Sequence, residues 1–297
     1  MLKFERVLGF GAAALLAAVG SAAYPQVEVS EVSQVSEPEG IAAIAQNTDR
    51  YTPKISILSP QADATYPSTS VPLEIRVQRF PLGLDADLGI GMHLKAIVDN
   101  REPIDIYDLS EPLLLDLGPG THTIRVVAAS PWNASYRTLA SFQHITFHVE
   151  EADSQNSPLF QQGTALLTLV SPSGSYGAEP ILLDYLVDGV NLGAARVRYT
   201  LNGVSTVTTD RQPVYLEGWQ PGENKLVVEL VKWDDHTVFD NNGTGYNRVE
   251  RTIIYNPDGS DTLSQLVRGE LAPIDVKSIL GPDPIVYDEN GNPQLLR

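Results

Sequence analysis

The sequence predicts an all-β chain of two tandem antiparallel β-sandwiches, and three observations lead there. First, Leu117-Gly-Pro-Gly-Thr-His-Thr-Ile-Arg-Val-Val-Ala128 recurs in plan as Trp219-Gln-Pro-Gly-Glu-Asn-Lys-Leu-Val-Val-Glu-Leu230: a Pro-Gly turn, polar residues, then an alternating strand. Pro119 and Pro221 stand about 100 residues apart, the length of one sandwich. Second, short alternating runs broken by turn residues every 8–12 positions or so fill both copies. Third, hydrophobic residues make up 42% of the 297, enough to pack two cores.

The N-terminus reads as a secretory signal over residues 1–23. Lys3 and Arg6 form a basic start, Val7 to Val19 carries no charge, and Ser21-Ala22-Ala23 offers small residues for cleavage. The run is short and Ala/Gly-rich for a bilayer span, so cleavage is favoured over retention as an anchor. Residues 24–52 are rich in Ser, Glu, Gln and Pro, which predicts a disordered N-terminal tether.

The first sandwich is expected over 53–151. Lys54-Ile-Ser-Ile-Leu-Ser59 alternates up to Pro60, and Val71, Leu73, Ile75 and Val77 share one face of the next run. His93 to Asp99, Pro103 to Ile106, Leu113 to Leu115, Thr123 to Ala129 and Phe142 to Glu150 follow. A polar linker (152–164) leads to the second sandwich over 165–257, where the same signals return. Leu166 to Pro172 matches Ile55 to Pro60, Pro213-Val-Tyr-Leu216 matches Pro112-Leu-Leu-Leu115, and Asn202-Gly203 is a two-residue hairpin signal. In 258–297, Ser260 or Asp258 is positioned to cap a short helix that places Leu263, Leu266 and Val267 on one face and stops at Gly269. Pro273, Pro282, Pro284 and Pro293 make the remainder an irregular C-terminal arm.

Charge and composition exclude several classes. A net charge of −17 and a pI near 4.6 repel phosphate backbones and anionic lipid, which argues against a nucleic-acid partner. The chain has no cysteine, so disulfides, thiolate metal sites and a Cys nucleophile are excluded. An exported chain without cysteine suits a bacterial envelope, in the periplasm or at the cell surface.

Candidate chemistry is sparse. His144 and His148 lie four residues apart on a strand, roughly 13 Å, too far to share one zinc. No nucleophile elbow, zincin motif, phosphate loop or dinucleotide fingerprint occurs, and the expectation is no catalytic residue and no cofactor. Asp234, Asp235, Asp240 and Asn242 form an oxygen-rich loop, a weak calcium candidate whose alternative is a turn with self-bonding Asp and Asn side chains. Trp132 and Trp233 follow the repeated strand in each copy, with Tyr136 and Tyr246 nearby. They form a candidate ligand-binding rim, the alternative being that each tryptophan caps its own core. Leu263, Leu266 and Val267 are the candidate partner-facing residues.

The segment Gly120-Thr-His-Thr-Ile-Arg-Val126 resembles the penultimate strand of bacterial immunoglobulin-like and fibronectin-like envelope modules. The mature chain further resembles a group of uncharacterised exported cyanobacterial proteins. The residues behind this are Ser130-Pro-Trp-Asn-Ala-Ser-Tyr136, Tyr176-Gly-Ala-Glu-Pro-Ile-Leu-Leu-Asp184, Gln212-Pro-Val-Tyr-Leu216 with Pro221-Gly-Glu-Asn224, and Asp261 to Leu271. The resemblance implies two immunoglobulin-like sandwiches and export, and no known activity. Where many such modules have Asp-x-x-Gly-Asn, this chain has Ser130-Pro-Trp-Asn133 and Lys232-Trp-Asp-Asp235. Three functional expectations follow: a non-enzymatic envelope protein presenting its modules to a protein partner, a carbohydrate- or peptidoglycan-binding module using loop aromatics, and an accessory part of a glycan-acting enzyme.

Overall fold

The computed structural model describes residues 32–157, 164–191, 193–281, 285–287 and 293–295. The signal expected over 1–23 lies outside them, as do residues 24–31 of the expected tether. The first described elements are a strand, β1 (Ser33–Val35), and a helix, α1 (Glu39–Thr48).

The first sandwich contains β2 (Lys54–Ser59), β3 (Thr65–Tyr66), β4 (Ser70–Gln78), β5 (His93–Val98), β6 (Ile104–Ile106), β7 (Leu113–Asp116), β8 (Gly120–Ala129) and β9 (Phe142–Val149). One sheet has the order β2–β4–β7 and the other β3–β9–β8–β5–β6. The short β3 runs parallel to β9, and all other pairs are antiparallel. Period-two alternation fixes the inward set: Val71, Leu73 and Ile75 of β4 meet Leu94, Ala96, Ile124, Val126 and Phe147 of the facing sheet.

The second sandwich repeats the plan with β10 (Leu166–Ser171), β11 (Ser175–Tyr176), β12 (Ile181–Asp188), β13 (Ala195–Leu201), β14 (Val204–Thr208), β15 (Val214–Glu217), β16 (Gly222–Lys232) and β17 (Arg248–Tyr255). Its sheets are β10–β12–β15 and β11–β17–β16–β13–β14. Asn202 and Gly203 both take positive φ between β13 and β14, as the hairpin requires. The copies agree in detail: each first strand has a register shift near its end, and Tyr66 and Tyr176 each accept an N–H, from Gln61 and Ser173.

Two expectations about the ends are corrected. Residues 32–52 do not form a tether, because β1 adds antiparallel to the edge strand β15 of the second sandwich, and α1 buries Ile41 and Ile44. Sparse apolar residues were enough here, since a three-residue strand and one helix face dock on surfaces already built. The C-terminal helix, α2 (Thr262–Val267), is capped by Asp261, whose carboxylate accepts the Ser264 N–H at 3.0 Å, rather than by Ser260 or Asp258. Gly269 ends it with φ of 70°. In the described arm β18 (Ile285–Tyr287) pairs antiparallel with β19 (Pro293–Leu295). Among the described residues no helix is long and apolar enough to cross a membrane.

The termini build a third core. Ile41 and Ile44 of α1, Leu266 of α2, and Val276, Ile279 and Leu280 of the arm enclose Trp132 from the loop after β8. Helix contact is close at Gly40, where an added Cβ would lie 2.1 Å from the Leu266 carbonyl oxygen.

The sandwiches stack sheet against sheet. β8 is buried along its whole length, so Thr123, Arg125 and Val127 on its outward face are covered as well as Ile124 and Val126 inside. β10 is likewise buried at every position. The Arg125 guanidinium bridges them, donating to the Leu167 carbonyl at 3.0 Å and the Thr168 hydroxyl at 3.3 Å. The linker is laid along this seam: Asp153 accepts the Thr121 N–H, and the Asn156 carbonyl accepts the hydroxyls of Thr123 and Tyr246.

Candidate functional site

Two loop ends occupy equivalent places in the copies, and the structure treats them oppositely. In the first sandwich the loop after β8 carries Trp132, which is only 5% exposed because α1, α2 and the arm roof it. Trp132 is therefore neither a free binding aromatic nor a cap on its own sandwich core. Tyr136 is half-buried among first-core residues and donates its hydroxyl to the Thr48 carbonyl at 2.9 Å. Leu266 is fully buried and Leu263 packs on the same cluster, while Val267 is half-buried beside the second sandwich. The helix face expected to meet a partner is thus turned inward. The physical reason is common to all these corrections: the terminal segments bury their few apolar residues on this loop end instead of on another molecule.

In the second sandwich nothing among the described residues roofs the matching loop. Trp233 is 55% exposed, and the guanidinium of buried Arg196 lies against one face of its ring. Its backbone is held by the Trp233 N–H donating to the Ala194 carbonyl at 3.1 Å. Past it the loop folds back, with Lys232 N–H to Thr237 O at 2.8 Å and Phe239 N–H to Leu230 O at 3.0 Å. The indole is thus fixed from below and open above.

The aspartates of the oxygen-rich loop bond within the loop itself. Asp234 accepts the Asp235 N–H, Asp235 accepts from both Thr237 groups, and Asp240 accepts the Gly243 N–H. Asn242 donates to the Ser157 carbonyl. The aspartate contacts are local turn contacts of the Asx kind, whereas Asn242 reaches the linker. Among the described residues no three His, Cys, Asp or Glu side chains gather as a metal set. A shorter oxygen-rich stretch that the sequence also offers for calcium, Asp288-Glu-Asn-Gly-Asn292, lies outside the described residues.

Tyr246 is 1% exposed and belongs to the seam, not to a rim. Its hydroxyl donates to Asp99 Oδ1 at 3.2 Å, its ring lies beside the Arg125 guanidinium, and burial pushes its pKa up. Asp99 also accepts the Thr123 N–H and faces His122 Nδ1 at 3.0 Å, a bond that raises the His122 pKa. A second seam contact joins Arg137 to Asp184, which is fully buried and accepts the Ser135 N–H besides. Burial raises the Asp184 pKa, against the pull of Arg137. Alongside runs a cleft of about 620 Å³ lined by Leu139, Phe142, His144, Val187, Asp188 and Arg211, among others.

Sequence reasoning missed this seam. Arg125 and Asp184 stand at outward strand positions, where a solvated charge is the default reading. The available signal was continuity: Ala96-Ile-Val98, Val126-Val-Ala-Ala129, Leu166-Leu167 and Ile181-Leu-Leu183 are unbroken apolar runs, which mark strands covered on both faces.

No protein-family model and no curated protein matches this chain. Solved structures align with it at low identity and low TM-score. The fibronectin(III)-like modules of CbhA from Clostridium thermocellum align at 11% identity over 69% of this chain and 97% of theirs, with a TM-score of 0.24. SGBP-B of the Bacteroides ovatus mixed-linkage glucan utilization locus, solved with a mixed-linkage heptasaccharide, aligns at 11% identity over 69% and 70%, with a TM-score of 0.21. A marsupial T cell receptor aligns at 10% identity over 69% and 73%, also at 0.21. By its strand order the chain is a tandem immunoglobulin-like β-sandwich protein.

Proposed function

We propose that this chain is a non-enzymatic binding protein of the cell envelope, exported by residues 1–23, that presents the loop end of its second sandwich to a protein partner. The observation that supports it is the unequal fate of Trp132 and Trp233: one loop end is roofed by α1, α2 and the arm, and the other is open among the described residues. A fixed, half-exposed tryptophan backed by arginine is the kind of anchor that dominates protein interfaces. The buried seam adds to this, since loops held on two locked sheets lose little freedom on binding. The same indole favours a second reading, carbohydrate or peptidoglycan binding, because a flat aromatic face stacks on a sugar ring.

The test compares the chain with Trp233→Ala, immobilised against envelope extract and separately sedimented with insoluble peptidoglycan, with and without calcium. The expected result is a protein partner retained by the parent and lost by Trp233→Ala at unchanged melting temperature. Retention on peptidoglycan that free glycan competes away would select the second reading. Undiminished retention by Trp233→Ala would remove the loop end from both.

A further inference from the structure

We infer that the outer edge of β7 in the first sandwich is a strand-accepting site for an extended segment of a partner protein with basic flanks. The chain displays the geometry itself. In the second sandwich the equivalent edge, β15, is extended by β1, with Val35 opposite Tyr215, Gln34 opposite Leu216 and Ser33 opposite Glu217. β7 matches β15 residue for residue: Leu115 and Leu216 face their cores, and Leu114 stands where Tyr215 stands. Tyr215, covered by residues 33–37, is 7% exposed, whereas Leu114 is 66% exposed. Among the described residues β7 ends its sheet, so its outward backbone groups are open for pairing.

The chemistry of the occupant follows from the surroundings. Leu114 calls for an apolar residue opposite it, as Tyr215 has Val35. Exposed Glu111 and Asp116 flank the edge, and nearby Asp108 is also exposed, so lysine or arginine at the ends of the incoming strand is complementary. A second copy is disfavoured, because its own strand-forming segment is flanked by Glu28, Glu31 and Glu37 and each chain carries −17.

A fluorescein-labelled peptide, Lys-Lys-Val-Ser-Gln-Val-Lys-Lys, added to the full chain tests this by anisotropy, with amide hydrogen exchange locating it. Saturable binding, new protection at 113–116, and a weakening of about tenfold or more by Leu114→Lys or by proline in place of the peptide's serine are expected. Trp233→Ala should leave this binding unchanged, which separates the site from the loop-end proposal. No saturable binding, equal binding by Leu114→Lys, or lost protection at Ser33–Val35 through displacement of β1 with none gained at 113–116 would overturn it. Equal binding of a glutamate-flanked peptide would overturn the basic partner.

Discussion

Two histidines of the first sandwich respond to pH in opposite senses. His93 is buried, with Nδ1 2.8 Å from the Gly91 carbonyl. Burial first, and the neighbouring Lys95 ammonium second, hold its pKa down to about 4, although Asp105 pulls the other way. Unfolded histidine titrates near 6.5, so its contribution to stability is complete above about pH 6.5 and is lost as pH falls toward the folded value. His122, raised by its bond to Asp99, stabilises fully below the unfolded value and less as pH rises through the folded one. Urea midpoints across pH 4 to 8 should therefore lose their acid limb in His93→Gln and their near-neutral limb in His122→Gln; an unchanged acid limb in His93→Gln would refute the first assignment. The tryptophans separate in the same way. Trp132→Ala should cost about 3–5 kcal/mol, and Trp233→Ala roughly 0.5 kcal/mol or less, in the same denaturant series. Sequence spacing placed both at one equivalent position and had no means of telling them apart.

At the scale of elements, the terminal segments depend on one another. α1 touches α2 through Gly40, and an added side chain there would drive into the Leu266 backbone. Gly40→Val should release α1, open the Trp132 cluster and shift tryptophan emission to the red while both sandwiches stay folded. Loss of all sheet signal instead would mean that α1 supports the sandwiches themselves. Asp261→Ala should remove the α2 cap at a cost of about 1 kcal/mol, seen as a lower unfolding midpoint. The strands were readable because period-two alternation survives at Val71, Leu73 and Ile75 whatever surrounds them. The N-terminal strand and helix were not readable, since a Val-Ser-Gln-Val run gains its order only from the β15 edge waiting for it.

For the whole molecule, the seam couples what the sequence presents as two modules on a linker. Arg125 spans it, Tyr246 reaches across to Asp99, and Arg137 meets Asp184. Removing one partner of such a buried set strands the other without solvent, at about 3–5 kcal/mol. The sandwiches should therefore unfold together: urea transitions followed by exchange in β4 and in β12 should coincide in the parent and separate in Arg137→Ala. Coincident transitions in the variant would show that this pair does not couple them.

What the sequence determined by itself is local in origin: two β-sandwiches, their strand plan and the turns between them, because alternation, Pro-Gly turns and Asn202-Gly203 act over a few residues. Tertiary structure alone decided which equivalent positions are open and which are covered. Trp132 and Trp233, Leu114 and Tyr215, and Arg125 on its outward face differ in what long-range docking brings against them, and sequence distance carries no record of that.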